Sequence, residues 1–219
     1  MNNEVLWGML MVINFAGVML FYKLFKKTGL FIWIGISAIL GNIQVLKTIE
    51  LFGHISTLGN IIYATSFLAT DILSENYGKK EATKGILVGF LTLITTTLMM
   101  YMCLLFIPHA SDFANNALKT IFSVMPRITM ASLIAYTVSQ IHDTNAYEFW
   151  KKKTGKIFIA NNLSTIISQM IDTILFTTIA FTGILPINVM IEIGITTYVF
   201  KIIVAISDTP FVYMSKKIK

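Results

Sequence analysis

The sequence predicts an all-α integral membrane protein, a bundle of about seven transmembrane helices in a single domain spanning residues 1–219. Three observations carry this. Only 13% of the 219 residues are charged, 55% are hydrophobic and the mean hydropathy is +0.73. A soluble domain carries about a quarter charged residues, so this chain has roughly half the charge needed to coat a soluble sphere. The apolar residues also gather in seven runs of about bilayer-crossing length, and the lysines sit between alternate runs. Together these exclude an ordinary soluble enzyme, a disordered chain and a secreted disulfide scaffold. Cys103 is the single cysteine and lies within an apolar run, so no intrachain disulfide and no cysteine–histidine metal spacing is available.

The runs cover about 5–22, 28–48, 57–75, 85–107, 126–142, 158–182 and 188–208. The first is read as a retained helix and not a signal peptide. Glu4 precedes it, a basic n-region is lacking, and lysines follow it. With the N-terminus outside, the inner loops hold Lys23, Lys26 and Lys27, then Lys79, Lys80 and Lys84, then Lys151, Lys152, Lys153 and Lys156. The tail adds Lys216, Lys217 and Lys219, so 13 of the 17 basic residues face the cytoplasm. The outer ends hold Lys47, Lys119 and Arg127, and Lys201 lies within the last run. This asymmetry favours seven helices, N-out and C-in; six, with one run re-entrant or peripheral, is the alternative. It also explains the net charge of +6 without nucleic acid as a partner. The longest loops, about 108–125 and 143–157, leave no room for a soluble nucleotide-binding module. Uphill movement of a solute would need an ion gradient or a borrowed ATPase.

Polar groups inside apolar runs are expensive and mark function by default. In the sixth run Asn161, Thr165, Ser168 and Asp172 recur at helical spacing on one face, with Asn162 and Gln169 on an adjacent row. Such a stripe lines a cavity or glues helices together. The seventh run carries Glu192, Lys201 and Asp208. Counted from the outer ends, Asp172 and Lys201 lie within roughly 5 Å in depth at about 1.5 Å per residue, and an ion pair between them is expected. In the second run Asn42, Gln44, Lys47 and Glu50 approach the outer surface, with Gln44 and Lys47 expected on one helical face. Ser37 and Gly41 form a small-xxx-small contact there. In the third, Asn60, Tyr63, Phe67 and Asp71 or Ser74 share a face, which would suit a stacking site or plain packing. His54, His109 and His142 fall at membrane edges without metal-ligand spacing, so no metal or cofactor is expected.

Several polar motifs resemble the bacterial queuosine precursor transporters, also called the vitamin uptake transporter family. They are Asn42-Ile43-Gln44-Val45-Leu46-Lys47-Thr48-Ile49-Glu50-Leu51-Phe52-Gly53, then Thr57-Leu58-Gly59-Asn60 with Tyr63, and Thr70-Asp71-Ile72-Leu73-Ser74-Glu75-Asn76-Tyr77-Gly78-Lys79-Lys80. Further matches are Ala135-Tyr136 through Ser139-Gln140 with His142-Asp143 and Phe149-Trp150-Lys151, Asn161-Asn162-Leu163-Ser164-Thr165 with Ser168-Gln169 and Asp172-Thr173, and Asp208-Thr209-Pro210 with Lys201 upstream. The resemblance covers about residues 40–215. It implies uptake of 7-cyano- or 7-aminomethyl-7-deazaguanine. It also implies a six-helix core like the substrate-binding subunits of energy-coupling-factor vitamin transporters, with the first helix as an addition.

A deazaguanine presents an N1–H and an exocyclic amine side by side, which suit one carboxylate, a carbonyl that needs a donor, and a flat ring that suits an aromatic face. Asn42, Gln44, Lys47, Glu50, Asn60, Tyr63, Gln169 and Asp172 are the expected binding set. Asp71, Lys201, Asp208, Asn161 and Asn162 are candidates for coupling or gating. The expected partners are this nucleobase and the lipid bilayer, with a homo-oligomer as one expected assembly. A solitary ion-driven carrier is the leading reading. The alternative is a substrate-binding subunit that works with a separate ATPase.

Overall fold

The structure, a computed structural model, describes residues 2–155 and 157–218. The side chains of Asp143, Thr144, Tyr147, Glu148, Lys151, residues 157–162, Thr165, Ala205, Ile206, Asp208 and Thr209 lie outside that description. The chain is mostly helical: α1 (Asn3–Gln44), α2 (Asn60–Tyr77), α3 (Lys79–Cys103), α4 (Asn115–Phe122), α5 (Met125–Thr154), α6 (Ile157–Phe181) and α7 (Ile187–Ser215). A two-stranded hairpin, β1 (Thr48–Leu51) and β2 (His54–Thr57), joins α1 to α2. Among the described residues four stretches are long and apolar enough to cross a membrane: Asn3–Gln44, Lys79–Cys103, Asn115–His142 and Ile187–Val204. Ile166–Phe181 is a shorter apolar helix. Large apolar side chains stay exposed along these helices, for example Leu87, Leu91, Ile94 and Leu98 on α3 and Ile187, Ile191 and Ile195 on α7. A bilayer solvates such faces, and water would not.

The chain forms two compact units, Met1–Pro126 with Val199–Lys219, and Arg127–Tyr198. In the first unit α1 is not one rod. Lys26 adopts φ 52, ψ −135, and the helix reverses there. The two limbs run antiparallel: Gly17 lies under the Trp33 ring, Gly29 meets the Phe21 carbonyl, and the Phe21 and Trp33 rings stand edge to face 5.5 Å apart. The 42-residue helix therefore contains both of the first two runs seen in the sequence. At its start Asn2 caps it by accepting from the Val5 amide. Asn3 donates to the Glu50 carbonyl, and the Glu4 carboxylate accepts the Phe52 amide. The N-terminus is thus tied to the hairpin, 47 and 48 residues away.

The hairpin corrects one expectation. The sequence predicts that the second run stays helical to about residue 48, with Gln44 and Lys47 on one face. Instead α1 ends at Gln44, and Lys47 lies outside the helix. Phe52 (φ 52) and Gly53 (φ 76) both take positive φ between the paired Leu51 and His54. That is the backbone of a two-residue turn whose twist matches the strands. The β-branched Thr48, Ile49, Ile55 and Thr57 suit the ladder on either side. Leu51 is fully buried and anchors the hairpin in the core.

The core of the first unit gathers Phe15, Val18 and Tyr22 from one limb of α1, Leu30 and Ile34 from the other, and Ile61, Leu68 and Ile72 from α2. Phe200 and Val204 of α7 join it. Helix α3 packs on the second limb through small residues: a Cβ at Gly85 would meet Ile34 at 2.8 Å, and one at Gly89 would meet it at 3.1 Å. The lysine-bearing loops of this unit share one end. Glu81 bridges Lys27 (3.0 Å) and Lys84 (2.7 Å), and Glu75 pairs with Lys216 (2.7 Å), raising the Lys216 ammonium's affinity for its proton. Just inside that end, buried Asn76 donates to Tyr22 Oη and to Ser215 Oγ, each at 3.0 Å, and Ser215 donates on to the Val212 carbonyl. One amide therefore links α1, α2 and α7.

In the second unit Arg127 donates through Nε and Nη2 to the carbonyls of Ile179 and Thr182, capping the C-terminal end of α6. His142 and Ser168 meet at 2.9 Å further along the same pair of helices. Gly194 of α7 approaches Thr177 Oγ1 of α6.

Asn76→Ala should lower the unfolding temperature of detergent-purified protein, with a loss of about 1–3 kcal/mol from the two buried hydrogen bonds to Tyr22 and Ser215. Ser74→Ala, on the exposed face of the same helix, is the control and should leave it unchanged.

Candidate functional site

The first unit builds its candidate site where α1 ends and α2 begins. The two backbones cross almost in contact: a Cβ on Gly59 would lie 2.6 Å from the Gly41 carbonyl oxygen and 3.1 Å from the Val45 amide. On the other side, a Cβ on Gly41 would meet Ile62 at 3.6 Å and Tyr63 at 3.7 Å. No side chain fits between the chains at Gly59, so the crossing depends on hydrogen there. It delivers Asn60 into the interior as the first residue of α2, with the end of α1 beside it.

Asn60 is 5% exposed, and neither its amide nitrogen nor its oxygen finds a partner among the described residues. Gln44 Oε1, Ser37 Oγ and Trp7 Nε1 are likewise buried without one. Native proteins leave few such atoms, because each costs about 1–3 kcal/mol unless water or a ligand satisfies it. Four residues of this kind lie in one unit, with no partner among the described residues. Asn42, by contrast, donates to the Ala38 carbonyl of its own helix at 2.7 Å.

Tyr63 and Phe67 continue along α2 on the face turned away from the core, their rings edge to face 5.2 Å apart. The Lys201 ammonium of α7 stands 5.6 Å from the Tyr63 ring centre, and Lys201 is itself buried. A cation this close to a ring face is stabilised where water is scarce. Asp71 lies one helical turn beyond Phe67 on the same face and is exposed. Lys47 and Glu50 are also exposed or partly so, in the hairpin region. Glu50 lies on the opposite strand face from Ile49 and Leu51, which pack toward the core.

In the second unit Asp172 is 5% exposed and is the single buried carboxylate among the described residues. Ser168, one turn earlier, is buried too, and Ser164 precedes it on the same face. Tyr136 of α5 is within electrostatic reach of Asp172, and Gln140 donates to the Tyr136 hydroxyl. Gln169 is half-buried beside the stripe. Asn161, Asn162, Thr165 and Asp208 lie outside the described residues. Of the expected ion pair, Asp172 belongs to the second unit and Lys201 to the first.

Among the expected residues, the structure thus brings Gln44, Asn60, Tyr63 and Lys201 into one unit around one helix crossing, with Lys47 and Glu50 exposed in the hairpin region of the same unit. The sequence reading does not assign Trp7, Tyr136 or Gln140 a role in the site. Tyr136 and Gln140 announce themselves as an i, i+4 polar pair within an apolar run. Trp7 carries no comparable signal.

Residues 57–215 match the profile of a family described as "Putative vitamin uptake transporter". The chain belongs to this vitamin uptake transporter family. It is 44% identical, over 99% of its own length and 96% of the relative's, to a protein of Bacillus subtilis (strain 168) named "Probable queuosine precursor transporter". It is 26% identical, over 75% of its length and 74% of the relative's, to the "Queuosine precursor transporter" of Escherichia coli (strain K12). No solved structure matches it. The chain is therefore a multi-pass membrane transporter and not an enzyme.

Gly59→Ala should force α1 and α2 apart and destabilise the protein by about 1–3 kcal/mol, as overpacking does. The unfolding temperature of the purified variant checks this.

Proposed function

We propose that the chain imports queuosine precursors, 7-cyano- or 7-aminomethyl-7-deazaguanine, across the cytoplasmic membrane. The reading rests on the names of its two relatives and on one observation above all: Asn60, buried with both amide atoms unpartnered. A primary amide donates to a ring carbonyl and accepts from an adjacent N–H, the pattern a deazaguanine edge offers. Gln44 Oε1 supplies a further acceptor for ring or amine N–H groups, and the Tyr63 ring an aromatic face. Asn42, Lys47 and Glu50 complete the proposed binding residues of the first unit; Gln169 and Asp172 are those of the second. Asp71, Lys201, Asp208, Asn161 and Asn162 are proposed to couple or gate the movement.

The proposed layout is one transporter domain, 1–219, with seven spans, N-terminus outside and C-terminus inside. The reversal of α1 at Lys26 and the shared lysine-rich end of the first unit support it. We infer a core related to the substrate-binding subunits of energy-coupling-factor transporters, working as an ion-driven carrier, with homo-oligomers as a further proposal.

Cells lacking an endogenous route should take up labelled 7-deazaguanine precursors when they express this chain. Asn60→Ala, which removes both amide atoms, should lose at least about tenfold in uptake at equal membrane abundance, the equivalent of one charged or two neutral hydrogen bonds. Asp172→Asn should reach the membrane and fail to transport; normal transport by it would show that the buried acid is dispensable. A protonophore should abolish uptake by the purified chain in liposomes if protons are the coupling ion. Failure of the purified chain alone to transport would favour dependence on a separate ATPase.

A further inference from the structure

Trp7 stands out among the buried polar groups because the transport reading has no place for it. Its indole is 8% exposed, packs 5.2 Å from the Phe200 ring and 6.4 Å from the Phe52 ring, and leaves Nε1–H with no acceptor among the described residues. A buried Trp normally finds a partner for that hydrogen. Its position in the unit follows from the antiparallel limbs of α1. Gly17 is opposite Trp33 and Phe21 is opposite Gly29. Extended by the same pairing, this register sets Trp7 level with Ile43, next to Gln44 and half a turn from Gly41. Phe200, against which Trp7 packs, directly precedes Lys201, whose ammonium faces Tyr63. Trp7 thus lies at the same end of the unit as Gln44, Gly41–Gly59 and Asn60, and it contributes a donor where Gln44 Oε1 contributes an acceptor.

We infer that the indole N–H of Trp7, on the N-terminal limb of α1, donates a hydrogen bond to an acceptor on the transported base. The inference rests on the transport reading above and deepens it. The N-terminal helix becomes a wall of the binding site, where the family resemblance makes it an addition outside the core. The acceptor is either the ring carbonyl, which both precursors carry, or the nitrile, which only the cyano compound carries. Hydrogen bonds to the hairpin hold the limb in place: Glu4 accepts the Phe52 amide, and Asn3 donates to the Glu50 carbonyl. Phe52 thereby stays against Trp7.

The test is Trp7→Phe, which keeps an aromatic ring against Phe200 and removes only the donor. Uptake kinetics are measured for both bases, with membrane abundance measured alongside. A rise in KM of about fivefold or more, the size of one neutral hydrogen bond, supports the inference. A rise for both bases assigns the ring carbonyl, and a rise for the cyano compound alone assigns the nitrile. An unchanged KM for both overturns it while leaving the transport reading intact. A wild-type chain that transports neither base overturns the transport reading and this inference with it. If Trp7→Phe fails to reach the membrane, the deciding measurement is Trp7 emission in a Trp33→Phe/Trp150→Phe background. A shift on saturation with either base supports the inference, and constant emission overturns it.

Discussion

The contact between Gly41 and Gly59 is the constraint on which the candidate site depends. Two helices joined by a short hairpin could diverge as soon as their side chains collided. Here the Gly59 Cα rests against the Gly41 carbonyl, and the first turn of α2 starts inside the unit instead of at its surface. That is why Asn60, a residue that ordinarily caps or decorates a helix end, is buried. The same contact holds Gln44 at the inner edge of the hairpin and sets the face of α2 that carries Tyr63. A bilayer offers no hydrophobic drive to push helices together, so backbone proximity of this kind is how they gain dispersion contacts. The cost of burying an amide there is then carried by packing around it.

The two ends of the first unit treat polar groups in opposite ways. At the lysine-rich end, Asn76, Tyr22 and Ser215 satisfy one another, and Glu75 and Glu81 sit among lysines. Named bonds tie the helices entering that end to one another. At the opposite end, Asn60, Gln44 and Trp7 hold buried atoms that no described residue satisfies. A protein that only needed stability would have no reason for this division. A transporter must hold one part of a bundle together while another part binds and releases a solute, and satisfied and unsatisfied polar groups separate those tasks. Lys201 is buried as well, its ammonium 5.6 Å from the centre of the Tyr63 ring.

Much of this organisation is legible in the sequence, for identifiable reasons. Charge is so scarce that each lysine carries topological information, and the clusters at Lys26–Lys27, Lys79–Lys84 and Lys216 do share one end of the first unit. Helical spacing puts Asn60, Tyr63 and Phe67 on one face of α2, and Ser168 and Asp172 on one face of α6, because a 3.6-residue period survives whatever surrounds it. The hairpin is not legible. The sequence runs the second helix to about residue 48 and leaves the residues up to 57 as a connection, and the turn is built on Phe52-Gly53, where phenylalanine adopts a positive φ that its side chain disfavours. The register between the two limbs of α1 is equally hidden, since Gly17 beneath Trp33 and Gly29 beside Phe21 are long-range fits with no periodic signature. The expectation that Gln44 and Lys47 share a helical face depends on a helix that continues past residue 44. The helix instead ends at Gln44 in a tight turn, with the Lys47 amide bonded to the Gln44 carbonyl at 3.0 Å, and the Lys47 side chain is exposed.

The N-terminal limb draws these points together. By composition it is the least distinctive part of the chain, apolar throughout its middle except for Asn14, whose amide is used up on the Leu10 carbonyl. Its sequence alone suggests an anchor. Yet it contributes Trp7, Phe15, Val18 and Tyr22 to the core, and its first residues clasp the hairpin that covers the α1–α2 crossing. Tyr22 at one end of the limb belongs to the satisfied network, and Trp7 near the other end belongs to the unsatisfied set. About 15 residues of helix, some 22 Å at 1.5 Å per residue, therefore join the part of the unit that is locked to the part that is left open. The limb is held at both ends, by the Asn76 bond to Tyr22 at the lysine-rich end and by the bonds of Asn3 and Glu4 to the hairpin at the other. The limb that the sequence offers only as an added helix is in this way built into the core from Trp7 to Tyr22.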